Sequence, residues 1–223
     1  MVSALAHPYL VPFDQSFRVG DSPTRPPKDA PGDKKLKKKL SKVNDELYEL
    51  QRVLYAHNRF SLLLVFQAMD AAGKDSTIRH VLRGVNPAGC QVYSFKKPSA
   101  EELEHDFLWR SAISLPERGR IGVFNRSYYE ETLVVRVHPD YLKNQNLPQP
   151  INLDTLWQER FHSIRDHETH LARNGTVILK FWLNVSQEEQ KNRFLARLNT
   201  PEKHWKFNSG DIDERQHWDE YMN

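Results

Sequence analysis

Residues 61–77 read SLLLVFQAMDAAGKDST, and this stretch decides the fold. Its first seven residues form a continuous apolar run, which is typical of a strand buried on both faces of a parallel sheet. The following residues nearly match the phosphate-binding pattern G-x-x-x-x-G-K-[ST], with Gly73 and Lys74 in place. Ala68 stands where the pattern has Gly, and Asp75 stands where it has Ser or Thr. The stretch therefore predicts a strand, a phosphate loop and a helix that begins near Lys74.

Three further apolar runs resemble the first one, at residues 91–95, 120–125 and 176–185. Helical patterns separate the runs, at residues 74–83, 99–114, 127–135, 155–173 and 187–198. Three of the helices are predicted to begin with an S-x-x-E capping box, at Ser99, Ser127 and Ser186. Alternating strands and helices predict a doubly wound α/β fold, in which helices cover both faces of a parallel sheet.

The chain divides by composition into an irregular arm at residues 1–33 and one domain at residues 34–223. The arm holds six of the thirteen prolines and no periodic pattern. From Asp33 onward, leucines and a valine recur at 4-3-4-3-4 spacing, which predicts a helix of about six turns. Six lysines crowd its first turns, between Lys34 and Lys42. They form either a solvated face or a guide for a polyanion.

The overall composition excludes several classes of protein. A hydrophobic content of 39% and a charged content of 27% are typical of a globular domain, and a net charge of +3 does not indicate a nucleic-acid partner. The single cysteine, Cys90, excludes an intrachain disulfide and indicates a reducing compartment, so we expect a cytoplasmic protein. No apolar run approaches the ~20 residues of a membrane span, and the first residues do not resemble a signal peptide.

Charged residues follow each of the first three predicted strands. Ligands of an open parallel sheet bind outside the carboxyl ends of its strands. Lys74 follows the first strand, Lys96 and Lys97 follow the second, and Asn125 and Arg126 end the third. This set of cations predicts a polyanionic ligand, with Arg126 as a bidentate phosphate clamp.

One acid, Asp70, lies within the phosphate loop. A carboxylate there would repel phosphate unless a cation lay between them, so Asp70 predicts a bound Mg²⁺, or Mn²⁺ in its place. Asp70 then replaces the hydroxyl ligand that the loop lacks after Lys74. Asp75 is either a second metal ligand or an acid that the helix dipole stabilises in the first turn. The phosphate-binding segment is predicted to comprise Ala71, Ala72, Gly73, Lys74, Asp75 and Ser76.

A basic segment follows the fourth predicted strand. Arg193 and Arg197 are four residues apart and share one helix face, and Lys203 follows in a polar loop. This segment, at about residues 193–213, is predicted to be a helical lid that brings cations onto the transferred phosphoryl group.

Three blocks of the sequence resemble the polyphosphate kinase 2 family. They are residues 64–110, which contain the phosphate loop, residues 122–139 (GVFNRSYYEETLVVRVHP) and residues 202–222 (EKHWKFNSGDIDERQHWDEYM). The resemblance extends over residues 33–223, and Ala68 and Asn125 are most similar to the branch called class III. It implies a thymidylate-kinase-like P-loop kinase fold, a three-layer α/β/α sandwich with a helical lid.

The resemblance also implies a reaction, in which the terminal phosphoryl group of inorganic polyphosphate is transferred to AMP or ADP with Mg²⁺. Adenine nucleotides are the expected acceptors, with guanine nucleotides as a second class. The catalytic residues implied are Asp70 as metal ligand, Lys74, Asn125 and Arg126, with Arg193 and Arg197 in the lid. Two alternatives stay open: an ATP-dependent nucleotide kinase of the same fold and a non-catalytic polyanion-binding module.

Members of the family continue past the last helix into a fifth strand and a C-terminal helix. The sequence ends at Asn223, so we expect this strand and helix to be missing. The leucine-rich helix and the arm make a homo-oligomer, a dimer or a tetramer, the expected assembly.

Overall fold

The computed structural model describes residues 6–206 and 210–222, without the side chains of Lys203 and Lys206. The strands are β1 (Ser61–Gln67), β2 (Cys90–Ser94), β3 (Ile121–Asn125) and β4 (Thr176–Trp182). The α-helices are α1 (Asp33–His57), α2 (Lys74–Val81), α3 (Ala100–Leu103), α4 (Trp109–Ala112), α5 (Val134–Val137), α6 (Leu153–Arg173), α7 (Gln187–Leu198), α8 (Gly210–Glu214) and α9 (Trp218–Met222). Short 3₁₀ helices lie at Val19–Asp21, Pro87–Gly89, Tyr128–Glu131, Pro139–Asn144, Pro201–Lys206 and Arg215–His217.

The four strands form one parallel sheet in the order β2-β3-β1-β4. The two central strands are buried, as their continuous apolar sequences predict. The prediction of burial is wrong for β2 and β4, which are the edge strands in the described part of the chain. Val92 of β2 and Leu179 of β4 are exposed because each of these strands has only one neighbour.

Apolar side chains cover both faces of the sheet. On one face, Ile78 of α2 joins buried residues of β1 and β3, and Leu54 of α1 packs against this cluster. On the other face, Ile164 of α6 joins Leu63 and Phe124. Helices therefore lie on both sides of a parallel sheet, which confirms the predicted three-layer α/β arrangement.

Two predicted helices are broken. The helix predicted at residues 99–114 is two short helices, α3 and α4, because the Asp106 carboxylate accepts a hydrogen bond from the Leu108 N–H (2.9 Å) and begins a new turn. The segment at 127–135 begins as a 3₁₀ turn before α5. The capping box at Ser99 is confirmed in both directions. The Ser127 hydroxyl, in contrast, accepts from the Tyr129 N–H (3.2 Å) instead of residue 130, so the predicted box is wrong there.

Helix α1 is 25 residues long and begins at Asp33, as predicted. Its inward face includes two buried polar residues that sequence periodicity did not reveal, Asn44 and Gln51. Asn44 donates to the His80 carbonyl (3.0 Å), and Gln51 donates to the Asn86 carbonyl (3.3 Å). Part of the predicted leucine stripe is consequently exposed.

By internal contacts the chain divides into two compact units. The larger unit comprises residues 31–67 and 74–182, and it contains the sheet with α1–α6. The smaller unit comprises residues 1–30, 68–73 and 183–223, as far as they are described. Within the smaller unit, the Asn184 amide donates to the Ser22 carbonyl (3.2 Å), so the proline-rich arm contacts the segment before α7.

Candidate active site

In the larger unit, the carboxyl ends of β1, β2 and β3 lie side by side. Asn125, the last residue of β3, is in register with Phe66 on one side and Ser94 on the other. Backbone hydrogen bonds continue this pairing, from the Arg126 N–H to the Phe66 carbonyl (3.0 Å) and from the Phe95 N–H to the Asn125 carbonyl (3.1 Å). The sheet thus brings Asn125 and Arg126 to the strand ends from which α2 and the Lys96–Lys97 pair follow.

Asn125 connects β3 to the first turn of α2. Its Nδ2 donates to Asp75 Oδ1 (2.8 Å), and it also lies 3.4 Å from Ser94 Oγ. Asp75 is the acid that replaces Ser or Thr after Lys74, and Asn125 occupies the strand end where an Asp is usual. The Asp at position 75 and the Asn at position 125 therefore complement each other, because an amide can donate to the Asp75 carboxylate and a second carboxylate could not.

Arg126 has an unusual backbone conformation for a residue other than glycine. Its φ is 66°, in the left-handed region. Arg126 Nη1 lies 3.0 Å from Glu130 Oε2, in an ion pair whose side chains are 36% and 16% exposed. Glu130 is the acid of the S-x-x-E pattern that begins at Ser127. The i, i+4 spacing of opposite charges is the sequence signal that could have identified the pair.

The 3₁₀ turn after Arg126 is anchored by a carboxylate of α6. The hydroxyl groups of Tyr128 and Tyr129 both donate to Glu168 Oε1, at 2.9 and 2.8 Å. Lys180 Nζ contacts Glu168 Oε2 at 2.7 Å. Burial, reinforced by the Glu168 carboxylate, raises the pKa of both phenols well above the usual value, so both remain donors at neutral pH. Sequence reasoning missed this network.

Lys96 and Lys97 are both exposed and directly follow β2 and Phe95. The buried guanidinium of Arg110, on α4, donates from Nη1 to the Lys96 carbonyl (2.8 Å) and lies over the Phe95 ring. Arg110 therefore fixes the backbone from which the two lysines project. No local sequence signal identifies Arg110, because its partner is 14 residues away.

A second buried arginine lines a small cavity, of about 90 Å³, in the larger unit. Arg160 Nη1 lies 2.8 Å from Glu131 Oε2, and both side chains are 4% exposed. Arg160 Nη2 also donates to Gln145 Oε1 (2.6 Å). Burial lowers the pKa of Arg160, and the Glu131 carboxylate opposes that effect. The hydrogen bonds of this cluster are made within the protein, which indicates a structural ion pair.

In the smaller unit, the loop of residues 68–73 has two left-handed residues. The φ angles are 60° at Ala71 and 103° at Gly73. Ala68 has no positive φ, so the methyl group that replaces the Gly of the strict pattern causes no backbone strain. The Ala72 N–H donates to the Met69 carbonyl (3.2 Å), which closes a tight turn.

Helix α7 contacts the loop through its backbone carbonyls. The Gln190 amide donates to the Asp70 carbonyl (2.9 Å). Arg193 Nη1 donates to the Ala71 and Ala72 carbonyls (3.2 and 2.8 Å), and Arg193 Nε bonds to Glu189 (2.7 Å). The structure thus places Arg193 on the backbone of the phosphate loop. Sequence reasoning placed it in a lid and missed Gln190.

The remaining lid residues also belong to the smaller unit. Arg197 Nη1 lies 3.6 Å from Asp211 Oδ2, which connects α7 to α8, and its guanidinium lies over the Phe194 ring. The side chain of Lys203 lies outside the described residues. The phosphate-binding roles of Arg193, Arg197 and Lys203 remain predictions.

In residues 6–206 and 210–222, no group of three or more His, Cys, Asp and Glu side chains is close enough to hold a metal ion. Nor does any described helix combine the length and apolar character that crossing a bilayer requires.

Comparison with known proteins gives consistent matches. Residues 31–223 match the family model described as Polyphosphate kinase 2. The chain is 62% identical over 179 residues to an ADP-polyphosphate phosphotransferase of Rhodopseudomonas palustris, covering 80% of this chain and 62% of that protein. It is 48% identical over 183 residues to an AMP/ADP-polyphosphate phosphotransferase of Meiothermus ruber, covering 82% of this chain and 64% of that protein. The chain therefore spans about three fifths of these curated relatives.

The crystal structure of Polyphosphate Kinase 2 from Arthrobacter aurescens is similar in fold. It superposes with a TM-score of 0.83 at 38% identity, covering 93% of this chain and 71% of that chain. Together with the parallel sheet described above, this similarity confirms the predicted P-loop kinase fold class.

Proposed function

Because the chain belongs to the polyphosphate kinase 2 family, we propose that it transfers the terminal phosphoryl group of inorganic polyphosphate to AMP or ADP. The observation that carries the proposal is the convergence at the ends of β1, β2 and β3. There, Asn125 binds the first turn of the helix that begins at Lys74, and Arg126 follows it. The names of the relatives support polyphosphate as donor and AMP or ADP as acceptor.

In the proposed reaction the chain provides position and charge. Lys74 neutralises the phosphoryl group in transfer, and Arg126 holds phosphate oxygens in a bidentate manner. Lys96 and Lys97 extend the cationic surface along the polyphosphate chain. The attacking group is itself a phosphate oxygen, so no general base is needed, and catalysis rests on in-line alignment with charge neutralisation.

The residues present fit Mg²⁺ as a cofactor, with Mn²⁺ as a substitute. Mg²⁺ at phosphate-transfer sites takes one or two protein carboxylates and otherwise binds water and substrate phosphates, so a cage of several protein ligands is not required. Asp70 would supply the carboxylate. In the larger unit, the Asp75 carboxylate accepts a hydrogen bond from Asn125. When bound, the metal would neutralise charge on the phosphate chain.

We further propose a homo-oligomer in which α1 pairs antiparallel with α1 of a second copy. Leu36, Val43 and Leu50 are spaced by seven residues and are 44%, 48% and 66% exposed. An antiparallel pair centred on Val43 would place the lysines at 34–42 against the acids at 45–49 of the other copy. Val43→Glu should then reduce the molar mass measured by light scattering to that of a monomer. An unchanged mass would exclude this interface.

The acceptor is proposed to be an adenine nucleotide, with guanine nucleotides as a second class.

The compartment is proposed to be the cytoplasm. The single thiol supports a reducing compartment, and burial raises the pKa of Cys90, which leaves the thiol mainly protonated.

The test is to incubate the protein with Mg²⁺, polyphosphate and either AMP or ADP, and to measure ADP and ATP. Product formed without added ATP supports the proposal. Turnover that requires an ATP donor would instead indicate a nucleotide kinase of the same fold. Polyphosphate binding without turnover would indicate a polyanion-binding module. Lys74→Ala is the control that excludes a contaminating kinase.

A further inference from the structure

The backbone carbonyls of three successive loop residues all point to α7. Asp70 O accepts from Gln190, and Ala71 O and Ala72 O accept from Arg193. In a trans peptide group the carbonyl and the N–H point in opposite directions. The N–H groups of Ala71 and Gly73 are therefore directed away from α7. Contacts from α7 thus set the direction in which the loop presents its donors.

Gln190 is placed to hold the loop in this orientation. Its side chain is 1% exposed, and both ends of its amide are used. Nε2 donates to the Asp70 carbonyl, while Oε1 accepts from Arg215 Nη1 at 2.7 Å. Arg215 also donates to the Gln187 carbonyl (3.2 Å), so it fixes the amide against the first turn of α7.

The loop requires such support because Ala71 is strained. A non-glycine residue in the left-handed region is strained because its Cβ lies too close to the following carbonyl oxygen. A conformation of this kind persists only where the surrounding structure holds it. Gln190 and Arg193 bond to the carbonyls on both sides of the Ala71–Ala72 peptide group and thus hold the left-handed turn in place.

We propose that Gln190, oriented by Arg215, is a positioning residue of the phosphate loop. It holds the Asp70 carbonyl and thereby directs the loop N–H groups toward a phosphate chain. The proposal rests on the proposed function for the identity of the ligand, but not for the contacts themselves. Gln190 acts through the loop backbone and not by contact with the phosphate.

The test uses Gln190→Met, which keeps the length of the side chain and removes both hydrogen bonds. Affinity for inorganic tripolyphosphate, measured by calorimetry, should fall by about tenfold. This is the effect of losing one hydrogen bond of ordinary strength, the bond from Gln190 to the loop. Amide hydrogen exchange at residues 68–73 of the ligand-free protein should become faster. Gln190→Glu retains the contact with Arg215 and loses the donor to Asp70, so it should show the same loss.

Two controls separate positioning from general stability. Gln51→Met removes an amide from an equally buried site on α1, where its partner is Asn86, and should leave tripolyphosphate affinity unchanged. Ala71→Gly relieves the backbone strain but also widens the range of accessible loop conformations, so adding it to Gln190→Met should restore part of the lost affinity.

The proposal is overturned if Gln190→Met leaves affinity and loop exchange at wild-type levels. It is also overturned if Gln51→Met lowers affinity equally, or if Ala71→Gly rescues nothing. Failure of the proposed function is a separate result: the wild type would then show no polyphosphate-dependent turnover, and exchange at residues 68–73 in Gln190→Met would still decide the role of Gln190.

Discussion

Replacing Asn125 with Asp tests the pairing that links β3 to the helix after the phosphate loop. Asn125 Nδ2 lies 2.8 Å from Asp75 Oδ1 and donates a hydrogen bond to it. The Asn125→Asp variant keeps nearly the same side-chain shape, yet it would place two carboxylates at hydrogen-bond distance. At least one of them must then bind a proton or move away.

The expected cost follows from the distance. Two unit charges 2.8 Å apart repel by about 1.5 kcal/mol in water and about 6 kcal/mol at an effective dielectric constant of 20. Protonating one carboxyl of ordinary pKa, about 3.9, limits the cost to about 4 kcal/mol at pH 7. We therefore expect the free energy of unfolding to fall by between about 1.5 and about 4 kcal/mol at pH 7.

The pH dependence of this loss has a defined sign. The folded pair binds a proton more tightly than the unfolded chain, so its pKa is raised, and the stability that it contributes is lost as pH rises. The destabilisation of Asn125→Asp should accordingly shrink below about 1 kcal/mol at pH 4.5.

The assay is urea unfolding at pH 7 and pH 4.5, with Asp75→Asn/Asn125→Asp as the matched variant. The double variant exchanges donor and acceptor, so it should recover at least about half of the loss at pH 7. A loss at pH 7 that is below about 0.5 kcal/mol, or equal at both pH values, would refute the reasoning. The reasoning would also be refuted if the double variant lost more free energy of unfolding than the two single variants lose together.

Three further predictions use independent measurements. Asp70→Ala and Lys74→Ala should each lower polyphosphate-dependent turnover by at least about a hundredfold, the scale of lost electrostatic stabilisation, and near-normal turnover in either would reject that residue's role. Burial lowers the pKa of His167, and His170 adds to this effect, while the Glu168 and Asp106 carboxylates oppose it. The free energy of unfolding should therefore fall as pH drops below about 6.5, and His167→Gln should flatten this dependence in urea titrations. In Gly122→Ala, the new Cβ would lie 2.9 Å from the Pro116 ring and should cost about 1–3 kcal/mol, measured as a lowered thermal midpoint.

The two central strands could be predicted from the sequence because each is an uninterrupted apolar run bounded by polar residues. The observed limits of β1 agree with those predicted, and β3 differs by one residue. The order of strands could not be predicted, and burial was therefore overestimated for β2 and β4, which have one neighbour each. Burial of a strand depends on its neighbours, and this information is not local.

Site residues could be predicted where they belong to a recognisable sequence pattern. They could not be predicted where their role depends on a partner that is distant in the sequence. Asn125 ends β3, Arg126 follows it, and Lys74 begins the helix after the loop that follows β1, so strand prediction located them. Gln190 and Arg110 act through backbone carbonyls 120 and 14 residues away, and no spacing rule connects such partners.

Two residues that the sequence predicts to take part in phosphate binding, one in each unit, have the same strained backbone conformation. Ala71 and Arg126 both adopt the left-handed conformation, with φ of 60° and 66°, at positions where a glycine would avoid the strain. Each is held by hydrogen bonds made just beside it: the Ala71 carbonyl accepts from Arg193, and the Arg126 guanidinium pairs with Glu130. A glycine at either position would lower the strain and enlarge the set of accessible conformations. Retaining a side chain there, within contacts that enforce the turn, favours a backbone already arranged for its ligand before binding.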